Sequence, residues 1–379
     1  MASTQRVPRV LVVGAGIAGL AAAGAIRGLG WDVSVAEQRA DFGGIGTGLF
    51  FPANGVRALA ALGLLDGLAC RGRRIDRLRV RSADGSAEAG ARLDLVWPNV
   101  GPSIAVHRSL VQEALLEAAL VPVRMGVRLT GIATEGERVQ VTFDHGERAS
   151  YDLVVGADGA GSAVRGLLWP GRAARYGGES YWRGVVTCPA GLADWTLTLC
   201  RDGNLVAIPV GTGLAYWAAG VSGDVPFRDE RAGRAARVRD RFADATGVAA
   251  AVLDLVTDDD AIQFSAAEVA WVENPVAGRV VLIGDAWHAA TPSMAQGGSM
   301  ASEDALVLAR ELGRDRRRDG IGDALRRFAA RRLPRVRHVQ EATAMRNRLA
   351  ALPVEQRLEV LPRWEEISVA SFAPLVGQP

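Results

Sequence analysis

The chain has 379 residues, 49% hydrophobic and 23% charged, enough for two packed units with their own cores. All 44 basic residues are arginine and none is lysine, which excludes every mechanism built on an ε-amine: a Schiff base, a lysine nucleophile, the phosphate-binding lysine of a P-loop or of a kinase strand. A net charge of +2 on scattered arginines argues against nucleic acid, and neither the four histidines (His107, His145, His288, His338) nor the three cysteines (Cys70, Cys188, Cys200) stand at metal-ligand spacing.

The opening residues, Met1 to Pro8, lack the basic-then-apolar run of a signal peptide. The uncharged stretch Val10 to Ile26 is 17 residues long and broken by glycines at 14, 16, 19 and 24, so it is read as something other than a membrane span. With three unspaced cysteines suited to a reducing compartment, the expectation is a cytoplasmic protein that binds neither membrane nor nucleic acid.

Val10-Leu11-Val12-Val13 reads as a strand buried on both faces, followed at once by Gly14-Ala15-Gly16-Ile17-Ala18-Gly19 and an alanine-rich helix. Gly14 permits the tight turn, Gly16 lets the backbone approach a pyrophosphate, and Gly19 lets helix and strand pack closely; the diphosphate then meets the free amides of a helix N-terminus. A second strand, Val33 to Ala36, ends in Glu37, 18 residues beyond Gly19, where a carboxylate can accept both hydrogen bonds of an adenosine ribose. This is a dinucleotide fingerprint, and FAD and NAD share the half it reads.

Two later segments deliver acids to the carboxyl edge of a parallel sheet: Tyr151 to Gly159, with Asp158, and Arg279 to Asp285. After Pro292 comes Gln296-Gly297-Gly298 and a helix expected from Met300 to Leu312, a second glycine loop feeding a helix N-terminus. A plain NAD-binding dehydrogenase needs one such loop; two suggest a ligand held at both ends. Between Gly72 and Pro102, and from Gly171 to Pro275, the pattern changes to strands such as Ile75 to Arg81, Ser180 to Thr187, Thr196 to Leu199 and Leu205 to Val210. Many aromatics fall here: Trp97, Tyr176, Tyr181, Trp182, Trp195, Tyr216, Trp217 and Phe227. The basic cluster Arg314 to Arg318 reads as a solvated turn, and Ala324 to Leu349 as a terminal helix that Pro334 kinks or breaks.

With these segments in place the chain resembles, over nearly its whole length, the FAD-dependent aromatic hydroxylases: class A flavoprotein monooxygenases with the p-hydroxybenzoate hydroxylase fold. The resemblance rests on the first glycine motif with Glu37; on Gly46 to Leu64 with Pro52-Ala53-Asn54; on Gly156-Ala157-Asp158-Gly159 with Ser162 and Arg165; and on Gly284-Asp285 through Glu303-Asp304. It implies an α/β fold: a Rossmann-like FAD-binding domain (1–72, 102–170 and 275–350), an interleaved β-rich substrate domain (73–101 and 171–274), and C-terminal helices with a tail (351–379).

It further implies that FAD is held by Gly14, Gly16, Ala18, Gly19, Glu37, Gln38, Arg39, Gly48 and Leu129; that Arg108 and Gln112 reach its phosphate and ribityl region; that Asp285 bonds the ribityl chain; and that Asp158 and Arg165 serve flavin and nicotinamide alike. Pro292, Gln296, Gly297, Gly298 and Ser299 would lie against the flavin ring, where Ala295 stands in place of a glycine common in relatives. NADH or NADPH would reduce the flavin, O2 would be captured as a C4a-hydroperoxide, and an aromatic or heteroaromatic substrate would be hydroxylated by a monomer or homodimer. Arg183 is the candidate to pair a phenolate or carboxylate and Tyr216 to hydrogen-bond a ring substituent; His288 is a possible acid–base group that also reads as structural, and Pro292 borders the reaction site. Halogenation is disfavoured because that chemistry depends on a lysine and a Trp-x-Trp-x-x-Pro segment, both missing here. An epoxidase or oxidative rearrangement catalyst, a dehydrogenase and a non-catalytic flavin-binding protein remain the alternatives.

Overall fold

The computed structural model describes residues 6–43 and 47–379; residues 1–5, and Gly46 of the second motif, lie outside the described residues. The strand Arg9–Val13 sits inside a six-stranded sheet, flanked by Asp32–Glu37 and Leu153–Gly156 in parallel register, with Val280–Leu282 beyond. Val10 to Val13 are at most 6% exposed, as a continuous apolar run requires when helices cover both faces. The helix Ile17–Arg27 packs beside Gly297–Arg314 and Arg108–Ala119; a Cβ on Gly24 would stand 3.1 Å from the Cα of Ala119, so this glycine permits the close approach.

A seven-stranded sheet is built from Gln263–Val269, Arg175–Thr187, Leu214–Ser222, Gly203–Gly211, Trp195–Cys200, Arg77–Ser82 and Glu88–Arg92. Its strands alternate. Leu205, Ala207 and Trp217 pack with the helices Arg234–Arg241 and Val248–Asp254, whereas Val206, Ile208 and Tyr216 belong to a core on the other face. The aromatics therefore divide between the two sides. Trp182 meets Phe264 at 5.4 Å and the exposed Phe227 at 5.6 Å, and Trp97 meets Phe372 at 5.1 Å, all at tilted angles, so Trp97 and Trp182, at most 3% exposed, are core packing.

Two elements depart from the sequence reading. The helix Ile321–Ala350 runs unbroken through Pro334. A mid-helix proline costs about 3 kcal/mol, and what holds the helix is the pair of buried arginines flanking it. Arg332 donates to Asp304 Oδ1 and Glu303 Oε2, each at 2.7 Å, and Arg335 grips Glu303 at 2.7 and 2.8 Å. Residues 351–379, expected as a tail, carry the helices Val354–Leu358 and Trp364–Phe372, and Arg57 donates to the carbonyl of Val376 at 2.7 Å to fasten their end. In the basic cluster, Arg318 reaches inward to the fully buried Asp152 at 2.6 Å instead of into solvent. Among the described residues no helix is long and apolar enough to cross a membrane.

Candidate active site

The first glycine loop is shaped by contact on two sides and emptiness on the third. Gly14 has φ +102°, and a Cβ there would lie 2.4 Å from the carbonyl oxygen of Ala157; one on Gly19 would lie 1.9 Å from the carbonyl oxygen of Gly14. A Cβ on Gly16 would meet nothing within 4 Å. The loop is thus packed against protein through Gly14 and Gly19 and opens a space at Gly16, beside a helix N-terminus without a side-chain cap. Glu37 sits over it, accepting from the Ala15 amide at 2.8 Å and the Arg39 amide at 2.9 Å.

This space is a cavity of about 400 Å³. Gly14, Gly16, Ala18, Glu37, Gln38 and Arg39 form one part of its wall; Leu129, Asp158, Arg108 and Asp285 form another. Asp158 is also a helix cap, accepting from the amides of Ala163 at 2.7 Å and Val164 at 3.1 Å; burial pushes its carboxyl above the ordinary value. Gln112 and Arg165 do not reach the cavity wall. Gln112 supports the loop from behind through the Ala15 carbonyl at 2.9 Å. Arg165 is 2% exposed and donates to the carbonyls of Arg172 and Ala286 at 2.8 Å, and to that of Ala160, tying the Asp158 loop to the Asp285 segment.

A second cavity of about 540 Å³ adjoins the first, and Leu49, Arg108, Asp285, Gly297 and Gly298 belong to both walls. Burial lowers the Arg108 guanidinium and raises the Asp285 carboxyl, with each charge partly offsetting the other's shift. Among the described residues the Arg108 side chain has no hydrogen-bond partner. Pro292 and Gly297 border the second lobe, while Gln296 and Ser299 turn into the protein: Gln296 exchanges hydrogen bonds with Asn54 at 3.0 and 3.2 Å, and Ser299 is wedged against Gly55, whose Cβ would sit 2.2 Å from its Oγ. Ala295 holds the turn with φ +50°, the left-handed conformation in which a glycine is easiest.

The larger lobe has Arg183, Tyr216, Tyr181 and Trp195 in its wall. Gly48 makes room for Tyr216, since a Cβ on it would lie 2.4 Å from the Tyr216 Cβ. The Arg183 guanidinium lies 4.8 Å over the Tyr181 ring and donates weakly to Ser265 at 3.4 Å. Burial pushes both tyrosines above their ordinary range, and Glu179, which accepts from the Tyr181 hydroxyl at 2.7 Å, adds to the effect on Tyr181. His288 is elsewhere: 5% exposed, its Nε2 is 2.7 Å from Asp304. Burial works to raise the carboxyls of Asp304 and Glu303, yet His288 with Arg332, and Arg332 with Arg335, outweigh it and hold them below the ordinary value.

Sequence reasoning missed Glu179, Arg346 and Trp364, all in the wall of the larger lobe. Glu179 followed no motif, and the other two come from C-terminal helices whose packing only the tertiary structure reveals.

A family model described as an FAD binding domain matches residues 8–343. The chain belongs to that family. It is 34% identical to the 2-heptyl-3-hydroxy-4(1H)-quinolone synthase of Pseudomonas aeruginosa across 79% of this chain and 80% of the relative. It is 32% identical to an FAD-dependent urate hydroxylase of Klebsiella pneumoniae, across 87% of each. Among solved structures, Klebsiella pneumoniae HpxO complexed with FAD and uric acid superimposes with a TM-score of 0.89 at 26% identity, covering 98% of this chain and 97% of that one. This FAD-binding monooxygenase is therefore an oxidoreductase of the aromatic-hydroxylase type. The open space at Gly16, the uncapped helix above it and the two joined lobes fit FAD, whose dinucleotide end the smaller lobe would hold.

Proposed function

We propose that the chain uses NADH or NADPH and O2 to hydroxylate a small aromatic or heteroaromatic molecule in the 540 Å³ lobe. The observation that carries this reading is the junction: a cofactor lobe and a mostly apolar lobe meet at Arg108, Asp285 and Gly297, where the reactive end of an FAD would face a flat guest. Bound FAD supplies the redox and oxygen chemistry. The residues of the chain bind, orient and exclude water. The amides opening the helix Gly297–Arg314, with Arg108 beside them, favour negative charge at the junction. Arg183 pairs an anionic oxygen on the substrate and Tyr216 bonds a ring substituent, while Pro292 and Trp195 keep the lobe apolar. His288 positions the Asp285 segment by anchoring to Asp304. Among the relatives, the names of the quinolone synthase and the urate hydroxylase both point to nitrogen heterocycles, which supports a heteroaromatic guest.

The test is NAD(P)H consumption by the FAD-loaded protein with a panel of phenols, purines and quinolones. One or more should accelerate it and yield a product heavier by one oxygen. If no compound both accelerates consumption and gains oxygen, the reading fails.

A further inference from the structure

Asn54 belongs to the Pro52-Ala53-Asn54 segment and is fully buried in the first turn of the helix Ala53–Ala61, which docks on the helix Gly297–Arg314. One of its amide hydrogens goes to Glu303 Oε1 and the other to Gln296 Oε1, each at 3.0 Å, while its Oδ1 accepts from Gln296 Nε2 at 3.2 Å. Glu303 sets this orientation. Ionised between Arg332 and Arg335, it can only accept, so the nitrogen end of the Asn54 amide must face it and the oxygen end is left for Gln296. Gln296 is the residue preceding the helix Gly297–Arg314, the N-cap position, from which a polar side chain ordinarily bonds the first free amides. It makes no such bond here, and its side chain is paired with Asn54 instead. The amides of Gly297 and Gly298 therefore meet no acceptor among the described residues. Both glycines are in the walls of both lobes, and a Cβ on Gly297 would meet nothing within 4 Å. The uncapped end of an 18-residue helix thus opens onto the junction with its positive pole unscreened.

We infer that Asn54, oriented by Glu303, is a positioning residue for the flavin: by drawing the Gln296 side chain away from its own helix, it keeps the Gly297 and Gly298 amides open to the cofactor. The inference rests on that helix end meeting the reactive end of FAD, as proposed above, and not on which molecule is hydroxylated. An open helix end favours the cofactor state that carries more negative charge, so the bridge should raise the midpoint potential of bound FAD.

Spectroelectrochemical titration of the FAD-loaded protein reads that potential. Asn54→Leu keeps the side chain's bulk without its bonds, and Gln296→Met removes the bridge from the other end. In each, FAD should lose on the order of tenfold in its preference for the reduced state, a fall of about 30 mV for a two-electron couple. Arg318→Met strips a partner from the buried Asp152 at the far end of the strand Leu153–Gly156, so it should melt earlier and keep the parent's potential. The unmodified protein gives a test that needs no variant to fold: amide hydrogen exchange in the peptide spanning Gly297 and Gly298 should be fast in the apoprotein and slow once FAD is bound. The inference is overturned if these amides are already protected without FAD, or if the potential is unchanged in the bridge variants or falls as far in Arg318→Met. Exchange that FAD does not slow would overturn the placement of the cofactor as well, which separates the two failures.

Discussion

Arg332 and Asp304, 28 residues apart and both fully buried, meet at 2.7 Å, and this contact joins the helix that begins at the junction of the two lobes to the long C-terminal helix. A buried pair is weak evidence of net stabilisation, but removing one partner leaves an uncompensated charge, at about 3 to 5 kcal/mol. Arg332→Met should therefore lower the unfolding free energy by that order, read from urea melts. The carboxyls of Asp304 and Glu303 are held below their ordinary values when folded, so they stabilise the protein above the unfolded carboxyl pKa of about 4, and that contribution is lost as pH falls through the lower folded values. Asp304→Asn should flatten the loss of stability below about pH 4, measured as urea midpoints across that range.

The two glycines of the first loop should separate folding from cofactor binding. Gly14→Ala brings a Cβ to 2.4 Å from a backbone oxygen at φ +102°, and the strain should cost more than about 1 kcal/mol of stability. Gly16→Val adds atoms into open space, so the apoprotein should melt within about 1 kcal/mol of the parent while FAD affinity falls on the order of tenfold or more. Flavin content after dialysis, together with apoprotein melting, checks both; equal FAD affinity in Gly16→Val would mean the cofactor does not approach there.

Arg108 and Arg165, both implied by the family resemblance to serve the cofactor, should fail differently. Arg108 is in both cavity walls, its side chain without a hydrogen-bond partner among the described residues, so Arg108→Met should weaken FAD binding with little loss of apoprotein stability. Arg165 serves four backbone carbonyls, those of Ala160, Arg172, Asp285 and Ala286, and Arg165→Met should cost about 2 to 3 kcal/mol of folding stability by stranding them. Fluorescence titration with FAD and thermal melting of the two apoproteins tell the roles apart.

What the sequence disclosed was local. The Gly14 to Glu37 motif places strand, turn, helix and acid within one unit, whereas Leu205 to Val210 reads only as a strand: its residues are all apolar, so the division of Leu205 and Val206 between two cores is visible in the structure alone. Helix Gly297–Arg314 begins three residues before the expected Met300, because Gln296 and Asn54 anchor its start across 242 residues, and no local signal carries that pairing. The same holds for the tryptophans. Their clustering in the strand-rich segments does not say which rings are core and which line a site; strand parity sends Trp182 and Trp217 away from the lobe and leaves Tyr181 and Tyr216 in its wall. Arg346 and Trp364 were illegible because their place depends on C-terminal helices folding back over the sheet.

Ala295 occupies a left-handed turn between Pro292 and Gly297, where a side chain costs roughly 1 kcal/mol relative to glycine. Ala295→Gly relieves that strain but frees the unfolded chain, so the net gain in stability should stay below about 1 kcal/mol. Thermal melting that shows a loss above 1 kcal/mol would mean the methyl group packs usefully in the lobe.

Glu179 offers a test with the opposite pH sign from Asp304. Burial, its largest influence, raises its carboxyl above the ordinary value despite hydrogen bonds from Tyr181, Thr291 and Ser293 and the charge of Arg183; Asn347 also donates to it at 3.1 Å once its amide is oriented to satisfy both ends. A carboxyl with a raised folded pKa binds more protons folded than unfolded, so it penalises the fold once pH exceeds the unfolded value of about 4.3, by about 1.4 kcal/mol for each unit of separation. Glu179→Gln keeps the hydrogen-bonding shape without the charge. It should match the parent near pH 4 and be the more stable protein at pH 8, with urea midpoints measured at both. Equal stability at pH 8 would show that Tyr181 and Asn347 fully compensate the buried carboxylate, and a variant weaker at pH 8 would show that ionised Glu179 is a net stabilising anchor for the Thr291 to Ser293 turn.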